Sequence, residues 1–134
     1  MQNIKNNIAK GGYFIGCCYD GLKVFETLKG GDLEFKDPEG KLIYSIEKQY
    51  EIEDFTFNPD KPDDNIDNML GQKIDVFMES IGQKIPEYLV NFQYLKYYME
   101  NNGFKLYDFS GGKKIAAEHS LLFYKKKWGG DEYP

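Results

Sequence analysis

Arginine is absent from this chain: all 17 basic residues are lysine, set against 22 Asp and Glu for a formal net charge of -5. A guanidinium fork is the usual device for bidentate contact with a phosphate or a guanine. Phosphate contacts must therefore come from lysine or from backbone amides. The acidic balance also argues against general, sequence-independent nucleic-acid binding. Histidine and tryptophan occur once each, as His119 and Trp128, and the two cysteines, Cys17 and Cys18, are neighbours. Adjacent cysteines rarely meet disulfide geometry, which excludes a secreted disulfide framework and a paired zinc site. They read as buried, reduced core thiols in an intracellular setting. No run approaches the ~20 apolar residues of a membrane-spanning helix. The polar start, Met1-Gln2-Asn3-Ile4-Lys5-Asn6-Asn7, lacks the apolar centre of a secretory signal. Neither a metal nor a membrane partner is expected.

What is present is the composition of a folded domain: 41% hydrophobic residues, 14 glycines, 11 tyrosines and 10 phenylalanines in 134 residues. That length is a prior for one domain. Ile4 and Ile8 mark one stripe of a short helix that Gly11-Gly12 stop. The run Tyr13-Phe14-Ile15-Gly16-Cys17-Cys18 predicts a strand buried on both faces. Asp20 begins a helix with Leu22, Val24, Phe25 and Leu28 on its apolar face. Residues 33–36 and 42–52 predict a β-hairpin around Asp37-Pro38-Glu39-Gly40. Residues 58–68 form an acidic, breaker-rich loop whose spacing is not that of a calcium-binding EF-hand. Residues 74–80 alternate like a strand. Pro86 suits a first helical turn, predicting a helix from Glu87 to Asn101. Strands follow at 104–109 and 120–124, with a turn at Ser110-Gly111-Gly112 and a tail from 125. The expected class is α/β.

Two segments carry more than this pattern. Gly11-Gly12-Tyr13-Phe14-Ile15-Gly16-Cys17-Cys18-Tyr19-Asp20-Gly21 resembles the segment of messenger RNA cap (guanine-N7) methyltransferases that enters their fifth strand. Ile74-Asp75-Val76-Phe77-Met78-Glu79-Ser80-Ile81-Gly82, followed by Glu87-Tyr88-Leu89-Val90-Asn91-Phe92, resembles the same family in its large-DNA-virus form. The resemblance covers residues 2 to about 106. It implies the C-terminal half of a class I (Rossmann-like) S-adenosylmethionine-dependent methyltransferase fold with an inserted β-hairpin. Residues 1–126 would form that partial domain and 127–134 a tail. The family's methyl-donor motif, an acidic Gly-rich loop after a strand, has no counterpart here, because Gly11-Gly12 precede a strand.

In that family a glutamate faces the Watson–Crick edge of the cap guanine, and the matching position is Glu87. A carboxylate accepts from the N1–H and N2 amine, a donor pair that only guanine offers. Tyr19 stands where many members have a proline lining the guanine pocket, and an aromatic ring there can stack on a cationic methylated base. A last-strand residue completes the pocket, with His119 and Tyr124 as the two candidates. The bland readings stay open beside these: an exposed glutamate, a strand-ending tyrosine, a surface histidine. The resemblance implies in-line attack of guanine N7 on the sulfonium methyl, catalysed by proximity and electrostatics without a protein nucleophile or base. No catalytic residue is thus expected, and the chain alone would be inactive. The donor would be bound by residues outside it. Expected partners are the capped RNA 5′ end and the rest of the capping enzyme, in the cytoplasm of a virus-infected host cell. Two alternatives remain: a non-catalytic, methyltransferase-like subunit that docks on and stimulates a capping enzyme, and a generic α/β interaction domain.

Overall fold

The computed structural model describes residues 2–111 and 119–126. They form a mixed α/β fold in two compact units, one from Met1–Asp20 with Phe92–Pro134 and the other from Gly21–Asn91.

In the first unit, α1 (Gln2–Asn7), β1 (Tyr13–Tyr19), α3 (Phe92–Asn101), β6 (Phe104–Gly111) and β7 (His119–Lys126) follow in chain order. Their sheet has the order β1-β7-β6. Strand β7 runs antiparallel to both neighbours, so β1 and β6 are parallel to each other. The helical spacing of Phe92, Leu95 and Met99 puts all three on one side of α3. They pack with Phe104 and Leu106 of β6, Phe14 and Cys18 of β1, and Ile4 and Ile8 of α1. Strand β1 is not buried on both faces as its apolar run predicts, since Tyr13 is 45% and Ile15 59% exposed. Alternation explains the difference: Phe14 and Cys18 face the helices, whereas Tyr13 and Ile15 point the other way. Cys18 is a reduced, half-buried thiol within that cluster.

The second unit holds α2 (Gly21–Thr27), β2 (Leu33–Lys36), β3 (Leu42–Lys48), β4 (Lys73–Met78) and β5 (Gln83–Tyr88). Its strands form one antiparallel sheet in sequential order. The expected hairpin is present, with the Asp37 carboxylate accepting the Glu39 and Lys41 amides at its turn. Its second strand ends at Lys48 rather than at residue 52, and β4 and β5 widen the hairpin into a four-stranded sheet. One face is apolar, and Ile46, Ile74 and Val76 are buried together with Val24, Phe25, Leu28, Phe55 and Met69. Burying each such side chain stabilises the unit by roughly 1.5–3 kcal/mol.

The predicted helix from Glu87 is a correction. Residues 83–88 are a strand, and the helix begins five residues later at Phe92. A tight turn decides it. The Ile81 and Gly82 amides both donate to the Met78 carbonyl, and Gly82 has φ +77°, reversing the chain onto β4. Pro86, read as a helix-start residue, instead lies on an edge strand opposite Asp75, where its missing N–H costs little. The last two strands also run beyond their predicted limits. Strand β6 continues through Gly111 and β7 through Lys126. The expected tail at 127–134 lies outside the described residues.

Candidate functional site

The two informative segments meet at one backbone hydrogen bond. The Gly21 amide donates to the Val90 carbonyl at 3.0 Å. The approach is so close that a Cβ on Gly21 would collide with the Val90 carbonyl oxygen and lie 2.7 Å from its nitrogen. Only glycine fits there. The strand end beyond Glu87 is held from other sides as well. The Leu89 amide donates to the Gln72 carbonyl at 2.9 Å, and the buried Asn91 amide group donates to the Phe55 carbonyl at 2.6 Å.

Glu87 lies three residues before this clamp, exposed on β5. It is on a strand and not in a helical first turn. Its cross-strand partner is the fully buried Ile74, whose own partner on β3 is Lys48. Directly opposed residues share a face, so Glu87 projects on the same side of the sheet as Ile74 and Lys48. No ammonium lies within ion-pair distance of the Glu87 carboxylate among the described residues.

Tyr19, the last residue of β1, is buried and belongs to the first unit. It sits five positions from Phe14, hence on the face opposite the helices. His119 is directly opposite Tyr19, while Tyr124 is opposite Phe14 and Leu106. The register thus brings Tyr19 and His119 into one cross-strand pair and leaves Tyr124 in a different row. The described side chains do not include His119 or Tyr124.

A further feature has no local signal in the residues. A cleft of about 250 Å³ opens in the second unit, lined by Phe25, Leu28, Lys29, Lys48, Tyr50, Ile52 and Glu53. The Phe25 and Tyr50 rings stack at 5.5 Å, and Phe25 also meets Phe55 at 5.7 Å. Burial pushes the Tyr50 phenol pKa up, and the Asp32 carboxylate raises it further. Lys29 and Lys48 are nineteen residues apart in the chain, and only the fold brings them to one cleft.

S-adenosylmethionine would need a glycine-lined cradle, and Gly11-Gly12 is the glycine pair directly ahead of strand β1. The Gly12 amide donates to the Ala9 carbonyl at 2.7 Å, and a Cβ there would meet Ala9 and Ile8 at 2.9 Å. Gly12 thus closes the α1–β1 turn against helix α1, a packing role and not that of a cradle. Among the described residues no group of three or more His, Cys, Asp or Glu is placed to hold a metal ion. No described helix is long and apolar enough to cross a membrane.

No family model matches the chain, and no curated protein resembles it in sequence. A solved structure resembles it in fold. It is the crystal structure of a S-adenosylmethionine-dependent methyltransferase from Clostridium acetobutylicum ATCC 824, similar with a TM-score of 0.51 at 15% identity. The match covers 93% of this chain but 48% of that one, so the chain spans about half the length of the structure it resembles. At that identity the likeness is one of fold: the chain has the fold of part of a class I S-adenosylmethionine-dependent methyltransferase.

Proposed function

We propose that this chain is the guanine-recognising part of an mRNA cap guanine-N7 methyltransferase, of the type found in large DNA viruses. The observation that carries this reading is the Gly21–Val90 hydrogen bond. It joins the two segments whose residues resemble that family, within a fold shared with a methyltransferase. Glu87 would accept from N1–H and N2 of the cap guanine, since its carboxylate is exposed and without an ion-pair partner among the described residues. The resemblance also assigns Tyr19 and either His119 or Tyr124 to base recognition, and within the first unit His119 is the residue opposite Tyr19. S-adenosylmethionine would supply the methyl group when bound by residues other than those described here. The chain's own part is to bind and orient the base, so it is inactive alone. The capped RNA 5′ end, the remainder of the capping enzyme and a cytoplasmic, viral setting belong to the same proposal.

The test compares two ligands that differ by one amine. A guanosine-capped dinucleotide and its inosine-capped analogue are titrated against the chain. The expected result is at least a roughly tenfold preference for guanosine, abolished by Glu87→Gln. Equal binding of the two caps to the unaltered chain would overturn it. The second reading, a non-catalytic docking subunit, is favoured by one observation: β1 has a single strand partner in its described sheet and exposes Tyr13 and Ile15. The outer strand of a sheet is a surface for strand addition. Stimulation of a complete capping enzyme by this chain, undiminished by Glu87→Gln, would select that reading.

A further inference from the structure

The cleft of the second unit carries two cations on one aromatic wall. Lys29 follows α2 and Lys48 ends β3. The Lys29 ammonium lies 5.5 Å from the centre of the Phe25 ring, and the Lys48 ammonium 5.9 Å from that of Tyr50. Both rings are buried and stacked on each other. A cation–ring contact of this kind at an exposed site modestly favours these ammonium positions. Among the described residues, Lys48 has no carboxylate within ion-pair distance. Lys29 meets Glu26 at 3.3 Å in a pair more than half exposed, which an incoming anion can displace at little cost.

Two neighbouring carboxylates accept hydrogen bonds from neutral donors and keep their negative charge. Asp32 accepts the Lys48 backbone amide at 3.0 Å. Asp54 accepts the hydroxyl and amide of Thr56 at 2.6 and 2.9 Å, which holds its pKa below the usual value. Glu53 is the lining carboxylate, and it is exposed at the rim. The walls are Leu28, Ile52 and the two rings, and both lysines are exposed at the mouth of the cleft. A volume of about 250 Å³ suits a compact anionic group rather than a whole ligand, which typically fills about 300–1,000 Å³. In a chain without arginine, lysine point charges are the available means of holding phosphate.

We propose that this cleft is a phosphate-binding site, taking the polyphosphate chain of a nucleotide between the Lys29 and Lys48 ammonium groups. The site stands on its own geometry. Only the identity of the source, a capped RNA end or a free nucleoside triphosphate, rests on the cap reading.

Tripolyphosphate is the probe, titrated calorimetrically against the chain, Lys29→Met, Lys48→Met and the double variant. Lys96→Met, on an exposed part of α3, is the control for net charge. Matching thermal melts confirm that each variant is folded. The expected result is a loss of affinity of at least about tenfold in the double variant, with Lys96→Met unchanged. Loss of the same size in Lys96→Met, or no binding of tripolyphosphate to the unaltered chain at millimolar concentration, would overturn the proposal. GTP and a guanosine-capped dinucleotide then separate the sources. Tighter binding of the dinucleotide, removed by Glu87→Gln, assigns the capped end. Equal, lysine-dependent binding of both assigns the free nucleotide, leaving the phosphate site standing while the cap reading falls. Sensitivity to Glu87 without sensitivity to either lysine gives the reverse outcome.

Discussion

Lys48 and Glu87 stand in one cross-strand row of the four-stranded sheet, on the same face, with the fully buried Ile74 between them. Two strand spacings put their Cα atoms about 10 Å apart. Their charges are exposed and separated by about a Debye length at physiological salt, so direct attraction is weak. Lys48→Met and Glu87→Gln should therefore have additive effects on stability, within about 0.3–0.5 kcal/mol, in urea titrations. Coupling above about 1 kcal/mol in the ligand-free chain would show instead that the two groups interact through a rearranged Ile74. In the presence of a guanosine-capped dinucleotide, a non-additive loss of affinity would mean that one ligand touches both.

The clamp between the informative segments gives a sharper expectation. A methyl group on Gly21 has no room against the Val90 backbone, which is not a flexible side chain that can give way. Gly21→Ala should destabilise the chain by about 1–3 kcal/mol or more, read as a lower urea midpoint with unchanged slope. Gly30→Ala is the matched control. Nothing lies within 4 Å of a Cβ there, so its effect should be within about 0.5 kcal/mol of zero. Equal effects at the two positions would remove the packing argument.

The elements that the residues announce are those whose pattern is local. The apolar run of β1, the spacing of Val24, Phe25 and Leu28, and the turn around Asp37 each carry their own signal. Strand β5 does not. Its six residues contain Lys84, Pro86 and Glu87, and only Ile85 among the alternate positions is apolar. Pairing with β4 across the turn at Gly82 stabilises it as a strand, and that is a tertiary effect. Periodicity thus misplaces Glu87 at a helix start, whereas pairing puts it on a strand. The pairing of Tyr19 with His119 is out of reach for a similar reason, since it depends on the register of strands about a hundred residues apart. Lys29 and Lys48 belong to different elements and carry no shared motif, so the charged cleft is legible only once the sheet and α2 are assembled.

Ser45 offers a test of the sheet's other face. It is 1% exposed, and its hydroxyl has no hydrogen-bond partner among the described residues. A buried, unsatisfied hydroxyl carries an uncompensated desolvation cost of about 1–3 kcal/mol. Ser45→Ala removes that group at almost constant volume and should leave stability unchanged or raise it by about 1 kcal/mol. A loss of more than about 1 kcal/mol would show that the hydroxyl is satisfied in solution, by a water or by a rotated neighbour.

The raised pKa of Tyr50 predicts a particular alkaline response. Burial, and then the Asp32 carboxylate, disfavour the phenolate in the folded chain, while the unfolded chain ionises near the ordinary value of 10.0. Below that pH both states hold the proton and the group is neutral to stability. Above it the unfolded state loses the proton first, so stability falls as pH rises. Tyr94 is shifted in the same direction by burial and by Tyr98 and Tyr97, and it adds to the fall. Urea midpoints measured at about pH 8 and about pH 11 should therefore drop steeply in the unaltered chain and less steeply in Tyr50→Phe. Because the Tyr50→Phe substitution keeps an aromatic ring stacked on Phe25, the two chains should be of similar stability at the lower pH. An identical alkaline loss in both would mean that the Tyr50 phenol is solvated, and that the aromatic wall beneath Lys48 is open to water.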